Sequence, residues 1–290
     1  MRVMTLPVKF DERSKIDLKT VRRKLLAMVD ESKQRLTPGE LKKRLCGTER
    51  VDEVTLRAAI RDLVLNGELK YTYQFGCSFL EKSYEKPMRI SNRVVVKPPG
   101  MVFEPDCRDI VIELFKGASF GFGDHATTRL AIQGIEAVLS THHDIIDDDN
   151  SRALDIGTGS GVLAIAAVLL GMPRAVGIDI DPCARAEAKK NVKLNGLEHR
   201  IKILDFPVED IKETCTLTTA NLRYPTLRRL CSHIAGITEK KGAVVASGIT
   251  SDEAEALVDA YTRNGFQCTW KADEKGWAGV VLKKDSSYPN

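Results

Sequence analysis

The spacing of apolar and polar positions changes at a polar break over residues 141–151. Beyond this break, short apolar runs that predict strands alternate with stretches whose apolar residues recur at helical spacing. The predicted strands are RALDIG, AVGIDID, RIKILDF, TLTTANL, GAVVASGI, FQCTWKA and GWAGVVLKK. The first two flank the helix VLAIAAVLLGM, a connection that makes two strands parallel. The last two flank Gly276, which predicts a closing antiparallel pair. The pattern therefore predicts an α/β fold on one seven-stranded sheet.

Residues 13–82 show a different pattern, with three helices and a hairpin. Residues 16–31 have the apolar spacing of an amphipathic helix. The segment 37–40 (TPGE) carries the signals of a helix start, because it combines a capping threonine, a proline at the first helical position and a capping-box glutamate. A third helix is predicted over about 54–65, and the runs LKYTY and CSFLEK predict a β-hairpin. This order of elements resembles a winged helix.

Three parts of the chain are distinguished by these patterns. Residues 13–82 are expected to form a winged-helix-like substrate or partner domain. Residues 83–150 are expected to supply a linker strand, a lid loop and a leading helix. Residues 151–285 are expected to form the sheet domain.

Positive charge is concentrated at the front of the chain. The 290 residues carry a net charge of +4, whereas residues 13–70 contain 15 Lys and Arg against 9 Asp and Glu, a balance of +6. Nucleic-acid binding through this region is one interpretation. The exposed positions expected on the third helix are a mixed set, Glu53, Arg57, Arg61 and Asp62, and these favour a protein-docking or structural module.

Composition narrows the setting in which the protein works. No run approaches the eighteen or so apolar residues of a membrane span, and the N-terminus has no apolar core of signal-peptide length. Seven cysteines without a Cys-x-x-Cys pair are typical of a reduced, cytoplasmic protein. His142 and His143 lie in the polar run THHDIIDDDNS, so we expect a solvated linker there and no metal site.

A glycine-rich turn, Asp155–Gly161, follows the first strand of the sheet domain. Nicotinamide dinucleotides require Gly-x-Gly-x-x-Gly, but the positions of the third glycine are occupied by Val162 and Ala164. The observed Asp-x-Gly-x-Gly-x-Gly is the motif of class I methyltransferases, which bind S-adenosylmethionine. Asp179 ends the second strand and is expected to accept hydrogen bonds from both ribose hydroxyls of that cofactor. The sheet is therefore expected to be the Rossmann-like sheet of this class.

A second unusual segment, SFGFGDHATT at residues 119–128, precedes a helix-patterned run. Together with LDIGTGSGVLAIAA, GIDIDPCARAEAKKNVKLNG and the pair TANL and SGI, it makes residues 89–285 resemble the PrmA family. These are bacterial methyltransferases that modify the eleventh protein of the large ribosomal subunit. The resemblance implies that Phe120 and Gly121 line the cofactor pocket and that Thr127 and Thr128 contact its methionine end. Helix capping by the threonines is the alternative, and a structural hydrogen bond is the alternative to a direct role for His125.

This sequence departs from the family pattern at three places. Phe122 stands where the family usually has a small polar residue. Pro207 stands where class I enzymes often hold the adenine with an acidic side chain, so Asp205 or the backbone of 206–208 is expected to substitute. The family's N-terminal docking domain is a small α+β unit, and this chain has the winged-helix-like segment instead. The cofactor and the reaction therefore transfer to this chain by resemblance, but the ribosomal target does not.

The fourth strand ends at Asn221, at the edge where open α/β sheets bind ligands. An Asn carbonyl there could orient an incoming amine, and Tyr224 could stack on a planar group or simply begin the next helix. The residues expected to act in catalysis are Asn221, Tyr224 and His125. Those expected at the cofactor are Phe120, Gly121, Thr127, Thr128, Asp155, Gly157, Thr158, Gly159, Gly161, Asp179, Ile180, Asp205, Phe206 and Asn221.

Three functions remain open from the sequence. The first is an S-adenosylmethionine-dependent protein methyltransferase that acts on a lysine or N-terminal amine of a protein substrate, possibly ribosomal. The second is an RNA or DNA methyltransferase that uses the basic front domain. The third is a DNA-binding regulator that has kept the cofactor but lost transfer, which the intact glycine loop and Asp179 disfavour.

Overall fold

The computed structural model describes residues 16–32, 34–48, 51–74, 76–83, 86–115, 117, 119–141, 145–146 and 151–285. His142 and His143 lie outside the described residues, as do residues 13–15 of the predicted front domain. The chain forms two compact units, residues 1–84 and 85–290. We refer to them as the front unit and the second unit.

The front unit has the predicted order of elements. Its helices are α1 (Leu18–Glu31), α2 (Pro38–Thr48) and α3 (Glu53–Leu65), and its hairpin strands are β1 (Leu69–Gln74) and β2 (Cys77–Lys82). The capping box at the start of α2 is confirmed, because Thr37 N donates to Glu40 Oε2 at 2.7 Å and Glu40 N donates to Thr37 Oγ1 at 3.2 Å. A single bridge between Leu36 and Leu80 joins the chain before α2 to β2.

The second unit is built on the predicted seven-stranded sheet. Its strands are β6 (Arg152–Ile156), β7 (Arg174–Ile178), β8 (Ile201–Leu204), β9 (Cys215–Asn221), β10 (Thr238–Thr250), β11 (Phe266–Glu274) and β12 (Trp277–Lys284). They lie in the order β11-β12-β10-β9-β6-β7-β8. β12 is antiparallel to both its neighbours, and the pairs from β10 to β8 are parallel. The closing hairpin therefore places its second strand inside the sheet and its first strand at the edge.

A second, three-stranded sheet occupies the region from which the sequence predicted one linker strand. β3 (Met88–Arg89) pairs antiparallel with β4 (Val94–Lys97), and β4 pairs parallel with β5 (Ile110–Glu113). All four residues of β4 are buried. Val94, Val96 and Ile112 join the apolar core of the second unit, so this sheet is part of its packing.

Five helices cover the two faces of the large sheet: α4 (Ala126–Thr141), α5 (Val162–Leu170), α6 (Pro182–Leu194), α7 (Tyr224–Ile237) and α8 (Ala254–Thr262). Apolar residues of α4, α5 and α6 pack with one face, and those of α7 and α8 pack with the other. α5 is buried almost throughout, as its unbroken apolar sequence predicts. None of the described helices is long and apolar enough to cross a membrane.

Small residues bring α4 close to the sheet. A Cβ at Gly134 of α4 would lie 2.8 Å from Cγ1 of Val245, and a Cβ at Gly279 of β12 would lie 2.9 Å from Cβ of Leu130. This close packing allows Ser247 of β10 to donate a hydrogen bond from Oγ to the carbonyl of Thr127 at 2.9 Å. The start of α4, which adjoins the segment SFGFGDHATT, is therefore fixed directly to the sheet.

Two helical glycines should respond oppositely to alanine. Gly134→Ala should lower the free energy of unfolding by about 1–3 kcal/mol, because the added methyl overpacks against the stiff Val245 side chain. Gly236→Ala in α7 should raise it by about 0.5 kcal/mol, since nothing lies within 4 Å of the new methyl and alanine favours the helix. Urea denaturation of the wild type and of both variants measures these changes in the free energy of unfolding. Stabilisation by Gly134→Ala would contradict the close α4–sheet contact.

Candidate active-site cleft

A cleft of about 550 Å³ opens at the carboxyl end of the parallel strands. It lies where β6 meets β9, which is the point from which the following strands are added in opposite directions. Open α/β sheets bind their ligands at such a point, because two adjacent loops diverge there. Residues after β6, β7, β8 and β9 all line this cleft, together with residues 119–121.

The glycine loop, Asp155–Gly161, forms the floor of the cleft. The amides of Gly157 and Thr158 both donate to the carbonyl of Ile178, each at 2.9 Å, so the loop is held against the end of β7. Gly159 has φ +53°, and a Cβ there would lie 2.6 Å from the carbonyl oxygen of Phe120. Gly161 lies away from the cleft, where a Cβ would meet Ala188 of α6 at 3.2 Å. The lack of a side chain at Gly161 allows α6 to pack closely against the loop, whereas Gly157, Thr158 and Gly159 line the cleft.

Asp155 is fully buried beneath the loop and does not line the cleft, which differs from the expected cofactor contact. Its Oδ2 accepts from Thr158 Oγ1 at 2.6 Å and from the amide of Ala164 at 3.3 Å. Its Oδ1 accepts from Thr219 Oγ1 at 2.8 Å. Burial raises the pKa of Asp155 to about 6, and the two threonine hydroxyls act in the opposite direction. The carboxylate positions the loop, α5 and β9 relative to one another.

Asp179 directly follows β7 and lines the cleft. Its Oδ2 accepts from the amide of Gly159, and its Oδ1 accepts from the amide of Asp181, both at 2.9 Å. A carboxylate offers about four acceptor positions, so each oxygen retains one for a further donor. The hydrogen bonds from these two backbone amides fix the orientation of the side chain, and the remaining acceptor positions suit a vicinal diol.

The segment 119–128, hereafter the lid segment, lies against the glycine loop. The amide of Ser160 donates to the carbonyl of Phe120 at 3.0 Å, and Ser160 Oγ donates to the carbonyl of Gly121 at 2.8 Å. Gly121 has φ +105°, and a Cβ there would lie 2.8 Å from Ser160 Oγ. Phe122 is buried in the core, whereas Phe120 is 54% exposed and lines the cleft. The alternation of Phe and Gly therefore gives one ring to the core and one to the cleft.

Arg129 holds the other end of the lid segment. Its Nη1 donates to the carbonyls of Gly123 and Asp124 at 3.1 and 2.8 Å. Its Nε lies 3.0 Å from both carboxylate oxygens of Glu274 at the end of β11. This pairing ties the lid segment to the edge of the sheet.

His125 caps α4 and does not line the cleft. Its Nδ1 accepts from the amide of Thr127 at 3.3 Å and lies 2.9 Å from Thr127 Oγ1. Its ring lies 5.1 Å from the rings of both Phe120 and Trp277. Burial lowers the pKa of His125, which favours the neutral ring that a capping acceptor requires. The geometry supports the structural hydrogen bond over a direct catalytic role.

The two threonines that begin α4 face in different directions. Thr127 lies away from the cleft, and its hydroxyl contacts His125, which differs from the expected contact with the cofactor. Thr128 lines the cleft, and its buried Oγ1 has no hydrogen-bond partner among the described residues. Neither threonine is the cap of this helix, since His125 occupies that position. A buried hydroxyl without a partner is costly, so Thr128 is suited to a polar ligand.

Apolar side chains form the far side of the cleft. Ile180 and Phe206 line it and are 86% and 51% exposed, which is unusual for large apolar residues. Asp205 does not line the cleft, because its carboxylate lies 2.7 Å from Nη2 of Arg185. Phe206, Pro207 and Val208 all line the cleft. The segment 206–208 therefore offers apolar surface at the position where Asp205 was the other residue expected to contact the adenine.

Asn221 lies at the carboxyl end of β9 and lines the cleft. Its Oδ1 is buried and has no hydrogen-bond partner among the described residues. Tyr224 does not line the cleft. It packs against the apolar cluster below α7, and its hydroxyl lies 3.4 Å from Nη1 of Arg228. The position of Tyr224 therefore does not support stacking on a planar group in the cleft.

Several residues of the cleft escaped the sequence reasoning. Leu222, Thr226, Arg229 and Leu230 line it from the end of β9 and the first turns of α7, and Glu209 lines it after β8. Glu209 and Arg229 form an ion pair at 2.6 Å. The spacing of positions 226, 229 and 230 on one helix face is a signal that could have indicated them. Asn191 of α6, which donates to the carbonyl of Ser160 at 2.9 Å, gave no sequence signal as a support of the glycine loop.

These features fit S-adenosylmethionine. The glycines leave room for a close ligand, Asp179 suits a ribose diol, and Ile180 and Phe206 suit a flat apolar ring. Thr128 and Asn221 also line the cleft, and each has a buried polar atom without a hydrogen-bond partner among the described residues. The strand order and the cleft are those of a class I methyltransferase, the class that uses this cofactor. The chain belongs to the family described as "Ribosomal protein L11 methyltransferase (PrmA)", whose model matches residues 79–285. The resemblance seen in the sequence is confirmed.

Individual relatives agree with this assignment. The ribosomal protein L11 methyltransferase of Geobacter metallireducens is 35% identical over 197 residues, covering 68% of this chain and 62% of the relative. That of Alkaliphilus oremlandii is 32% identical over 203 residues, covering 70% and 62%. The chain thus spans less than two thirds of the length of these relatives. The crystal structure of a ribosomal protein L11 methylase from Lactobacillus delbrueckii subsp. bulgaricus is 27% identical, with a TM-score of 0.61, and the match covers 69% of this chain and 99% of that one.

Asp155 should make the stability of the protein depend on pH. Its pKa is about 6 in the folded chain and near 3.8 when unfolded, so the folded state holds an extra proton between these values. The contribution of Asp155 to stability therefore falls as the pH rises from about 4 to about 6, by about 3 kcal/mol in total.

Asp155→Asn should remove this change. Compared with the variant, the wild type should lose about 2 kcal/mol of unfolding free energy between pH 4 and pH 7, as urea denaturation at a series of pH values would measure. Asp205→Asn, which removes a carboxylate that is 69% exposed, is the control for the loss of a surface charge. Parallel curves for Asp155→Asn would show that this carboxyl titrates normally.

Proposed function

We propose that this chain is an S-adenosylmethionine-dependent methyltransferase that acts on an amine of a protein substrate. The observation that carries the proposal is Asn221, which lines the same cleft as the glycine loop and Asp179 and whose buried Oδ1 has no hydrogen-bond partner among the described residues. A site for the cofactor alone has no evident need of an unpaired carbonyl at the end of β9, whereas an incoming N–H group would satisfy it.

The proposed cofactor contacts follow from the side chains that line the cleft. Asp179 would accept hydrogen bonds from the ribose hydroxyls, and Ile180 and Phe206 would flank the adenine. Gly157, Thr158 and Gly159 would lie against the amino-acid portion, to which Thr128 would offer its free hydroxyl. Phe120 and Gly121 would cover the site from the lid segment. Asp155, Gly161, Thr127 and His125 would support the loop and the lid segment from outside the cleft.

The bound cofactor supplies a methyl group on a sulfonium, which is transferred by direct displacement to a nucleophile. The protein's part is to position the nucleophile, because holding the two reacting groups in the correct orientation removes a large share of the activation barrier. Asn221 would accept one N–H of a neutral amine and thereby hold its nitrogen in the cleft. Leu222 and Phe120, which lie on the lining of the same cleft, would exclude water around it.

A protein acceptor is favoured by the relatives, whose names state methylation of ribosomal protein L11. A ribosomal protein is therefore the first substrate to test. The matched region begins at residue 79, so the front unit lies almost entirely outside it. We propose that the front unit is a winged-helix-like domain that selects the substrate or partner. RNA or DNA is the second candidate substrate, because residues 13–70 carry a balance of +6.

Transfer of a labelled methyl group identifies the substrate class. The full-length protein is incubated with tritiated cofactor and either purified large-subunit ribosomal proteins or protein-free ribosomal RNA. We expect label in the protein fraction that survives nuclease and is lost with protease. Label that is removed by nuclease would replace the protein acceptor by RNA. Absence of label from both fractions, with cofactor binding intact, would overturn the ribosomal substrate but not the cofactor assignment.

Asp179→Ala should weaken cofactor binding by about ten- to a hundredfold, because loss of a charged acceptor costs about 1.5–3 kcal/mol. Calorimetric titration with S-adenosylmethionine measures the change, and circular dichroism verifies the fold. Asp205→Ala is the matched control and should bind within about twofold of the wild type, since its carboxylate pairs with Arg185 outside the cleft. Equal effects of the two substitutions would remove Asp179 from the proposed site.

Asn221→Ala should slow methyl transfer by about a hundredfold or more, as the loss of a group that positions a nucleophile does. Its affinity for the cofactor should change by less than about tenfold, because other residues hold the nucleoside. Tyr224→Phe should leave transfer within about twofold, since its ring packs against the apolar cluster that includes residues of α7 and α8, and only the hydroxyl is removed. Single-turnover measurement with the labelled substrate fraction tests both. Full transfer by Asn221→Ala would assign the orienting role elsewhere.

A further inference from the structure

A groove on the front unit has a lining that no part of the proposed transfer reaction uses. It has a volume of about 550 Å³ and is formed by the start of α2, one face of α3 and Tyr71 of β1. The residues from α3 include positions 53, 56, 57, 60, 61 and 64, a continuous stripe at helical spacing. All of these residues belong to one compact unit.

The floor of this groove is apolar, and its edges expose large apolar side chains. Leu56 and Ile60 lie at the bottom and are nearly buried, while Val64 is partly exposed between them and solvent. Leu65 at the end of α3 is 75% exposed, and Tyr71 is 53% exposed. Soluble proteins rarely gather exposed Leu and Tyr at one concave site without a partner.

The charge around the groove is positive. Lys42, Arg57 and Arg61 line it against one carboxylate, Glu53, which leaves a balance of +2. Glu53 lies 2.7 Å from Lys42 Nζ and 2.6 Å from Arg57 Nη2, so one carboxylate is shared by two cations. The Arg57 side chain is 78% exposed, which leaves most of its donors to solvent.

The nearest other acidic residue of α3 does not reduce this charge. Asp62 lies 2.6 Å from Nη1 of Arg22 on α1, and the same guanidinium reaches Glu68 at 2.8 Å. Asp62 and Glu68 are not among the groove's lining residues. The mixed set expected on α3 is thus divided by the fold, with the two arginines on the groove and Asp62 engaged by α1.

We infer that this groove binds an amphipathic acidic helix of a protein partner. The apolar stripe of α3 suits a helix that presents apolar residues at i, i+3 or i+4, and i+7. Glu or Asp on both sides of that stripe would meet Lys42, Arg57 and Arg61. Tyr71 and the two arginines are the residue types that dominate binding energy at interfaces. The inference concerns the front unit and holds whatever the cleft transfers.

Charge and apolar surface together favour this occupant over two others. Nucleic acid is held mainly through phosphates, which gain nothing from a floor of Leu and Ile. A second copy of this chain would bring the same positive balance of +6 in residues 13–70 to a positive groove. An acidic apolar helix satisfies both the floor and the rim.

Peptide selection on the full-length protein tests the inference without any methyl donor. A displayed library of random peptides about sixteen residues long, roughly four helical turns, is selected on the wild type and counter-selected on Arg57→Glu/Arg61→Glu. We expect enriched sequences with apolar residues at helical spacing and a net negative charge. A synthetic copy with a fluorescent label should bind about tenfold or more weakly to the double variant and to Tyr71→Ser. Circular dichroism verifies that both variants fold.

Lys43→Glu is the matched control, because Lys43 is exposed on α2 and is not among the residues that line the groove. It should bind the selected peptide within about twofold of the wild type. Failure to enrich acidic amphipathic sequences, or equal binding by wild type, Tyr71→Ser and the double variant, would overturn the inference. A DNA duplex whose binding is lost in the same variants would assign the groove to nucleic acid. A concentration-dependent dimer that Tyr71→Ser abolishes would assign it to a second copy.

Discussion

The buried carboxylate of Asp155 determines how the parts of the cleft are arranged. Its two oxygens accept hydrogen bonds from the glycine loop, from the start of α5 and from β9. These elements lie on both sides of the point where β6 meets β9. These hydrogen bonds stabilise the charged form, whereas burial raises the pKa of Asp155, and the net result is a pKa of about 6. The spacing between the loop and Asn221 therefore depends on a group that does not itself line the cleft.

A second constraint is the close approach of the lid segment to the glycine loop. Backbone carbonyls of Phe120 and Gly121 accept hydrogen bonds from Ser160, and the contact leaves no space for a Cβ at Gly159 or Gly121. Arg129 secures the other end of the segment to β11. The cleft therefore has a wall whose position is set by backbone contacts, while Phe120 remains the side chain that can adapt to a ligand.

The two units differ in what their sequences constrain. The model of the ribosomal protein L11 methyltransferase (PrmA) family matches residues 79–285, and all the residues that line the cleft lie within this match. The front unit lies almost wholly outside the family match and has its own apolar core and its own groove. A cofactor site demands particular backbone geometry, whereas a docking surface needs only complementary shape and charge. In the function proposed above, target choice can change with the front unit while the transfer site remains.

The sequence by itself determined the elements and the class of the second unit. Apolar spacing predicted the seven strands. The motif Asp-x-Gly-x-Gly-x-Gly with Asp179 indicated the cofactor, because a backbone that must approach a ligand closely requires glycine at particular positions. It did not show that β12 would lie between β10 and β11, or that residues 88–113 would form three strands, since pairing joins residues distant in the chain. The direction of each side chain was likewise decided by packing. Asp155, Thr127 and Tyr224 face the interior or a neighbouring helix, while Thr128, Ile180 and Phe206 face the cleft, because only the assembled sheet and helices determine which side of a loop is covered.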